Sequence, residues 1–82
     1  MTFQLFEDVV LTTDIPEHDL YEGDIGTAVE RHVVSDKEAG YSVEFFDMTG
    51  QTVAVVTIAE SCLRSPQATD RPAVRRELSH AS

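Results

Sequence analysis

Between Asp14 and Asp24 the chain places six ionisable side chains within eleven residues: Asp14, Glu17, His18, Asp19, Glu22 and Asp24. Carboxylates at this density suit a hard cation such as Ca²⁺ or Mg²⁺, but their spacing matches no EF-hand loop. A solvated acidic loop that meets a basic protein is the stronger expectation, because charges at a rim steer encounter. The other reactive side chains have no partners at useful spacing. His18 and His32 are separated by a loop and a strand, with no close His-x-His pair and no neighbouring cysteine, so they make poor metal ligands. Cys62 would need an adjacent base to act as a nucleophile, and the sequence puts neither histidine beside it. Ser61 stands in no Gly-x-Ser-x-Gly elbow, and there is no glycine-rich phosphate loop. These residues point to a protein that is not an enzyme and that has no catalytic, cofactor-binding or metal-binding residues.

The acidic loop feeds the stretch around which the chain is organised, Leu20 to Val34. Glu22-Gly23-Asp24 is a tight turn, with Gly23 free to take positive φ and Asp24 placed to accept from the turn backbone. Gly26 follows inside a strand, where glycine marks a bend, a bulge or a close backbone approach. Ile25, Thr27 and Val29 then supply β-branched residues at period two.

Four further strands frame this one. Asp8 to Thr13 reads as a first strand with apolar residues on both faces, Val9 and Leu11 on one and Val10 on the other. Pro16 fixes its own φ and extends Ile15, so Ile15 and Leu20 serve as inward anchors of the loop. After a polar connection over 35–40, Tyr41, Val43 and Phe45 alternate with Ser42 and Glu44. Phe46 breaks that alternation by falling on the polar face. It is either a contact residue on an exposed sheet or a residue covered by the N-terminal arm or the tail. Asp47-Met48-Thr49-Gly50 is a hairpin connection with Gly50 placed for a left-handed residue. Gln51 to Ile58 is the fourth strand, with Val53 and Val55 on one face and Ala54, Val56 and Ile58 on the other. Ala59 to Arg64 gives one helical turn and a short last strand, and Leu63 is placed to plug the end of a barrel. Phe3, Leu5 and Phe6 show no clear period.

Eighty-two residues make one domain of an SH3-like β-barrel over 1–64 and a flexible or short-helical C-terminal tail over 65–82. A chain of this size buries only ~60 % of its extended surface, enough for one small core and no deep enclosed site. The fold class is all-β: a small five-stranded SH3-like barrel with a one-turn helix before the last strand. Structural turn residues are Gly23, Asp24, Gly26 and Gly50. In the tail only Val74 and Leu78 are sizeable apolar residues, four apart on one helical face.

Net charge is −9, and it is unevenly spread. Residues 1–64 hold thirteen Asp and Glu against Arg31, Lys37 and Arg64, a net of −10, whereas residues 65–82 carry a net of +1. An acidic body repels phosphate backbones and favours basic partners. The bland alternative is that the charge only keeps a small domain soluble. No apolar run reaches the roughly 20 residues of a membrane span, the N-terminus has no signal-peptide pattern, and the single Cys62 fits a reducing compartment, so a cytoplasmic location is expected.

Asp14-Ile15-Pro16-Glu17-His18, Gly23-Asp24-Ile25-Gly26-Thr27, Tyr41-Ser42-Val43-Glu44-Phe45 and Thr57-Ile58 occur in an order that resembles a bacterial family of small acidic proteins, domain-of-unknown-function family 4926. The resemblance covers residues 6 to 64. The chain departs from the family pattern at Asp19, where a small or basic residue is usual, and at Ala28, where Val is usual. The resemblance implies an SH3-like barrel and no activity. The Gly-Asp-x-Gly-Thr segment is also similar to the turn of ribosome- and transcription-associated SH3-like modules, an analogy of fold alone.

The resulting expectation is a non-enzymatic protein-interaction module, an antitoxin- or immunity-type or regulatory partner of a basic protein. Its candidate partner-binding residues are Glu17, Asp19, Tyr21, Glu22, Asp24 and Phe46. The alternatives are an RNA- or ribosome-associated module, which the charge disfavours, and an accessory subunit of an enzyme. Nucleic acid and membrane are not expected partners, and a homo-oligomer is permitted.

Overall fold

A computed structural model describes residues 2–33 and 36–71. It contains five antiparallel strands: β1 (Asp8–Leu11), β2 (Ile25–His32), β3 (Gly40–Phe46), β4 (Thr52–Ala59) and β5 (Leu63–Arg64). Two 3₁₀ turns, Pro16–His18 and Glu60–Cys62, complete the described elements. The sheet runs β4-β3-β2-β1-β5 and curls into a half-barrel, consistent with a small SH3-like barrel. β2 is central as the sequence implies, but it pairs only with β1 and β3, and β4 and β5 lie at the two edges. The one turn before the last strand is 3₁₀ rather than α, as a three-residue element must be.

Alternation decides which side chains enter the core. Tyr41, Val43 and Phe45 on β3 and Ile58 on β4 point inward and are buried, as do Val9 and Leu11 on β1 and Ala28 on β2. Leu63 closes the cluster, with Ile15, Val56 and Cys62 packed against it. Val10 faces the other way, outside this cluster, yet is only 1 % exposed. Both faces of β1 are therefore covered, as its continuous apolar run implies.

Gly26 sits opposite Phe45. A Cβ there would lie 2.6 Å from Val43 Cγ1 and 2.9 Å from the Glu44 carbonyl oxygen. β2 and β3 approach too closely for any other residue, and this is the physical reason for a glycine inside the strand. The ladder slips one residue between Ala28 and Glu30, leaving Val29 as the extra residue of a bulge that helps the sheet curl.

The N-terminal arm supplies a core residue that periodicity could not reveal. A turn at Phe6, with φ of 67°, reverses the chain, and the Phe6 N–H donates to the Ala28 carbonyl at 2.5 Å. Phe3 is thereby carried under Tyr41, its ring edge-on at a centroid distance of 5.5 Å. The Tyr41 hydroxyl accepts from the Phe3 N–H at 2.9 Å and from Arg31 Nε at 3.2 Å. It donates toward Glu60 Oε2, 3.3 Å away. A buried phenol needs such partners, and here they join arm, β2, β3 and the last 3₁₀ turn.

Gly40 begins β3 in extended conformation rather than ending a turn, paired with both His32 and Ala59. Beyond β5, Arg64 and Asp70 form a two-pronged ion pair, Nη1 to Oδ2 and Nη2 to Oδ1 each at 2.9 Å. It folds residues 65–70 back on the last strand. The short helix that Val74 and Leu78 suggest for the tail, and all of residues 72–82, lie outside the described residues.

Candidate functional site

The loop from Asp14 to Asp24 is closed by its own backbone. Ile15 and Leu20 form a bridge, with Ile15 N–H to Leu20 O at 2.7 Å and the reverse bond at 3.2 Å. Pro16 starts the 3₁₀ turn because its missing N–H costs nothing there. Asp19 ends it in left-handed conformation, φ 57°, which the short polar side chains tolerate best. Leu20 is buried and Ile15 packs on the core, so both act as the anchors their position implies.

The six ionisable groups divide by task. Asp14 Oδ1 accepts from the Glu22 N–H at 2.8 Å, and Asp24 Oδ2 accepts from the Tyr21 N–H at 2.9 Å. These two carboxylates shape the loop. Gly23, at φ 95°, makes the turn between them, and its N–H donates to the Leu11 carbonyl at 2.9 Å. The loop's end is thus fastened to β1. Glu17, Asp19 and Glu22 remain on the exposed surface, with His18 beside them, while Tyr21 and Asp24 are half-buried. Among the described residues no three His, Cys, Asp or Glu side chains gather as a metal site would require. His32 is held elsewhere, with Nε2 2.8 Å from Ser42 Oγ. Cys62 is half-buried in the second 3₁₀ turn, against the core.

Phe46 points out of the barrel and is 44 % exposed, so among the described residues neither the arm nor residues 65–71 cover it. Register shows what it joins. Gly26 faces Phe45 as the last pair of the β2–β3 ladder, Ile25 and Phe46 flank that pair, and both are exposed. Ile25 directly follows Asp24. Asp24 thus stands at the start of β2, whereas Glu22 lies on the β1 side of the loop, near enough to Arg64 of β5 to favour its charged form. Glu17 and Asp19 lie in and just after the 3₁₀ turn at the other part of the loop. Val53 and Val55 extend the outward apolar row onto β4, each 58 % exposed.

Sequence reasoning missed Ile25 as a surface residue. Its signal was its strict alternation with Gly26, whose inward position forces Ile25 out. It also missed Asp47 as the organiser of the β3–β4 hairpin. Asp47 Oδ1 accepts from the Thr49 and Gln51 N–H groups at 2.8 and 3.0 Å and from Thr49 Oγ at 2.6 Å. The Thr49 hydroxyl first, then the backbone donors, hold its carboxyl below the usual range. Gly50 takes φ 89° in the same turn, as its position demands.

Residues 5–65 match the family described as Domain of unknown function (DUF4926). The chain belongs to that family. No curated protein and no solved structure matches it. Within this DUF4926 domain no helix among the described residues is long and apolar enough to cross a membrane.

Proposed function

We propose that this domain is a non-enzymatic interaction module that binds a basic protein in the cytoplasm. The observation that supports it most is the continuity of the acidic loop with an exposed apolar pair. Asp24 runs directly into Ile25, and Ile25 and Phe46, both exposed, flank Gly26 and Phe45, the last pair of the β2–β3 ladder. Apolar anchors beside rim charges are the usual anatomy of a docking surface, with aromatic residues carrying most of the energy. Phe46 and Tyr21 are the anchors in this reading; Glu17, Asp19 and Glu22 steer.

The test is recovery of the tagged domain from its own host with and without nuclease, beside a variant with Glu17→Gln, Asp19→Asn and Glu22→Gln. A captured protein of high isoelectric point that survives nuclease and falls away in the variant supports the reading. Capture that nuclease abolishes would point to an RNA- or ribosome-associated module instead. Capture of an enzyme subunit that does not depend on the loop would point to an accessory role.

A further inference from the structure

The open sheet has two edges, and they differ. β5 is two residues long, and its Arg64 is engaged by Asp70. β4 runs for eight residues with only β3 beside it, and no described strand pairs with its outer edge. Its sequence, Thr52-Val-Ala-Val-Val-Thr-Ile-Ala59, contains no charge, no proline and no glycine. Edges that must stay single are usually marked by a charge, a proline or a bulge. β4 has one such mark, the register shift between Phe45 and Phe46 that leaves Val53 as the extra residue near its start. From Ala54 to Ala59 the ladder is regular, and Val53 and Val55 stand out from the strand, each 58 % exposed.

Charge says what fits there. Two copies of a chain of net −9 repel almost anywhere on their surfaces. Along the middle of β4 they meet no charge, and Asp47 and Glu60 lie beyond its two ends. The nearest carboxylate on the outward face is Glu44, one strand further in, opposite Val55 and hydrogen-bonded by the Thr52 hydroxyl. Two β4 strands paired antiparallel would set the two β3 strands, and so the two Glu44 residues, about 14 Å apart, three strand spacings. That exceeds the screening length of ~8 Å at physiological salt. A charge-free strand offers nothing to a basic segment, but it complements itself. Val and Thr would lie opposite Val and Thr, and a twofold axis would satisfy the open N–H and C=O groups of both edges at once.

We propose that β4 is the seam of a symmetric dimer, in which two five-stranded sheets join into one. The seam is short, so the dimer is weak and forms as concentration rises. It is distinct from the acidic loop, and its failure would leave the basic-partner reading standing.

Sedimentation equilibrium of the full chain over an about hundredfold concentration range tests it. The expected result is a mass rising from one copy toward two, and more so as salt screens the overall repulsion. Val53→Lys with Val55→Lys should weaken association by about tenfold or more, since it sets like charges across the seam. Ile25→Lys, on the outward face but two strands from the edge, should leave it unchanged. Thr57→Lys, also exposed on β4, replaces the double variant if that one melts early. A mass that stays monomeric, or undiminished association in the β4 lysine variants, would overturn the proposal. Equal loss in Ile25→Lys would overturn it too, by moving the contact to the sheet face.

Discussion

The Phe3 backbone N–H donates to the Tyr41 hydroxyl at 2.9 Å, and the two rings meet edge to face at 74°. One residue of the arm and one of β3, thirty-eight positions apart, thus share a buried hydrogen bond and an aromatic contact. Removing only the hydroxyl isolates the polar part. Tyr41→Phe should cost about 1–3 kcal/mol, because it strands a buried donor while the ring contact survives. Phe3→Ala, which removes the ring and opens a cavity, should cost about 3–5 kcal/mol. Chemical denaturation of the two variants checks both. Tyr41→Phe as stable as the parent would mean that the hydrogen bond carries nothing beyond ring packing.

Gly26 and Gly40 should respond in opposite directions. A methyl group at Gly26 collides with the Glu44 backbone oxygen, which has no rotamer to relieve it, so Gly26→Ala should cost about 1–3 kcal/mol and Gly26→Val more. At Gly40 the added methyl would meet Thr57 Cγ2 at 3.5 Å, an ordinary contact. Gly40→Ala should be neutral or stabilise by up to about 1 kcal/mol through the unfolded chain. Melting temperatures of the two alanine variants decide it, and matching values would refute the close-approach reading.

The Arg64–Asp70 pair predicts an acid limb. The Arg64 hydrogen bonds chiefly, and the Gln67 N–H next, hold the Asp70 carboxyl at about 2. The folded form thus releases the proton more readily than the unfolded one. The stabilisation is complete above the ordinary carboxylate range near pH 4 and is lost as pH falls through about 2. Asp70→Asn should lower the melting temperature at pH 7, and the gap to the parent should close toward pH 2. A gap that stays constant with pH would show that the pair adds no charge-dependent stability.

The same pair bears on where the domain ends. A chain stopped after Arg71 should melt with the full chain, since the residues beyond hold only Val74 and Leu78 as sizeable apolar side chains. A chain stopped after Arg64 should fold but melt lower, having lost Asp70. Failure of the shorter chain to fold would place the domain boundary after Asp70 instead of after Arg64.

Neutralising the loop should change kinetics more than stability. Asp24 caps the Tyr21 N–H, so the informative variant leaves it intact and alters Glu17, Asp19 and Glu22. Association with the captured basic partner should slow at low salt, and the difference should shrink as salt rises, while dissociation barely changes. Phe46→Ala should act on dissociation. Surface kinetics at two salt levels separate these effects, and an unchanged association rate in the triple variant would remove the loop from the interface.

Local chemistry made much of this legible in the amino-acid order. Gly23 and Gly50 announce turns because only glycine takes positive φ without strain, and both do so. The alternation Tyr41, Val43, Phe45 against Ser42, Glu44 fixes which side of β3 is core, since successive strand residues face opposite ways. Pro16 through its fixed φ and Asp24 through its carboxylate set the acidic loop from residues close in sequence. Other features depend on residues far apart in the chain. Phe3 joins the core because Phe6 turns the arm back across Ala28, and Phe6 is not a residue type that signals left-handed backbone. Asp70 is nearer in sequence, six residues from Arg64, but it becomes a partner only because a turn from Gln67 to Asp70 folds the segment back, which no spacing rule foretells. Phe46 could be covered or exposed until the course of arm and tail was known. The β-pattern names the strands, but which strand is left at an edge follows from the order in which they assemble. That is a property of long-range pairing, and it alone leaves charge-free β4 open.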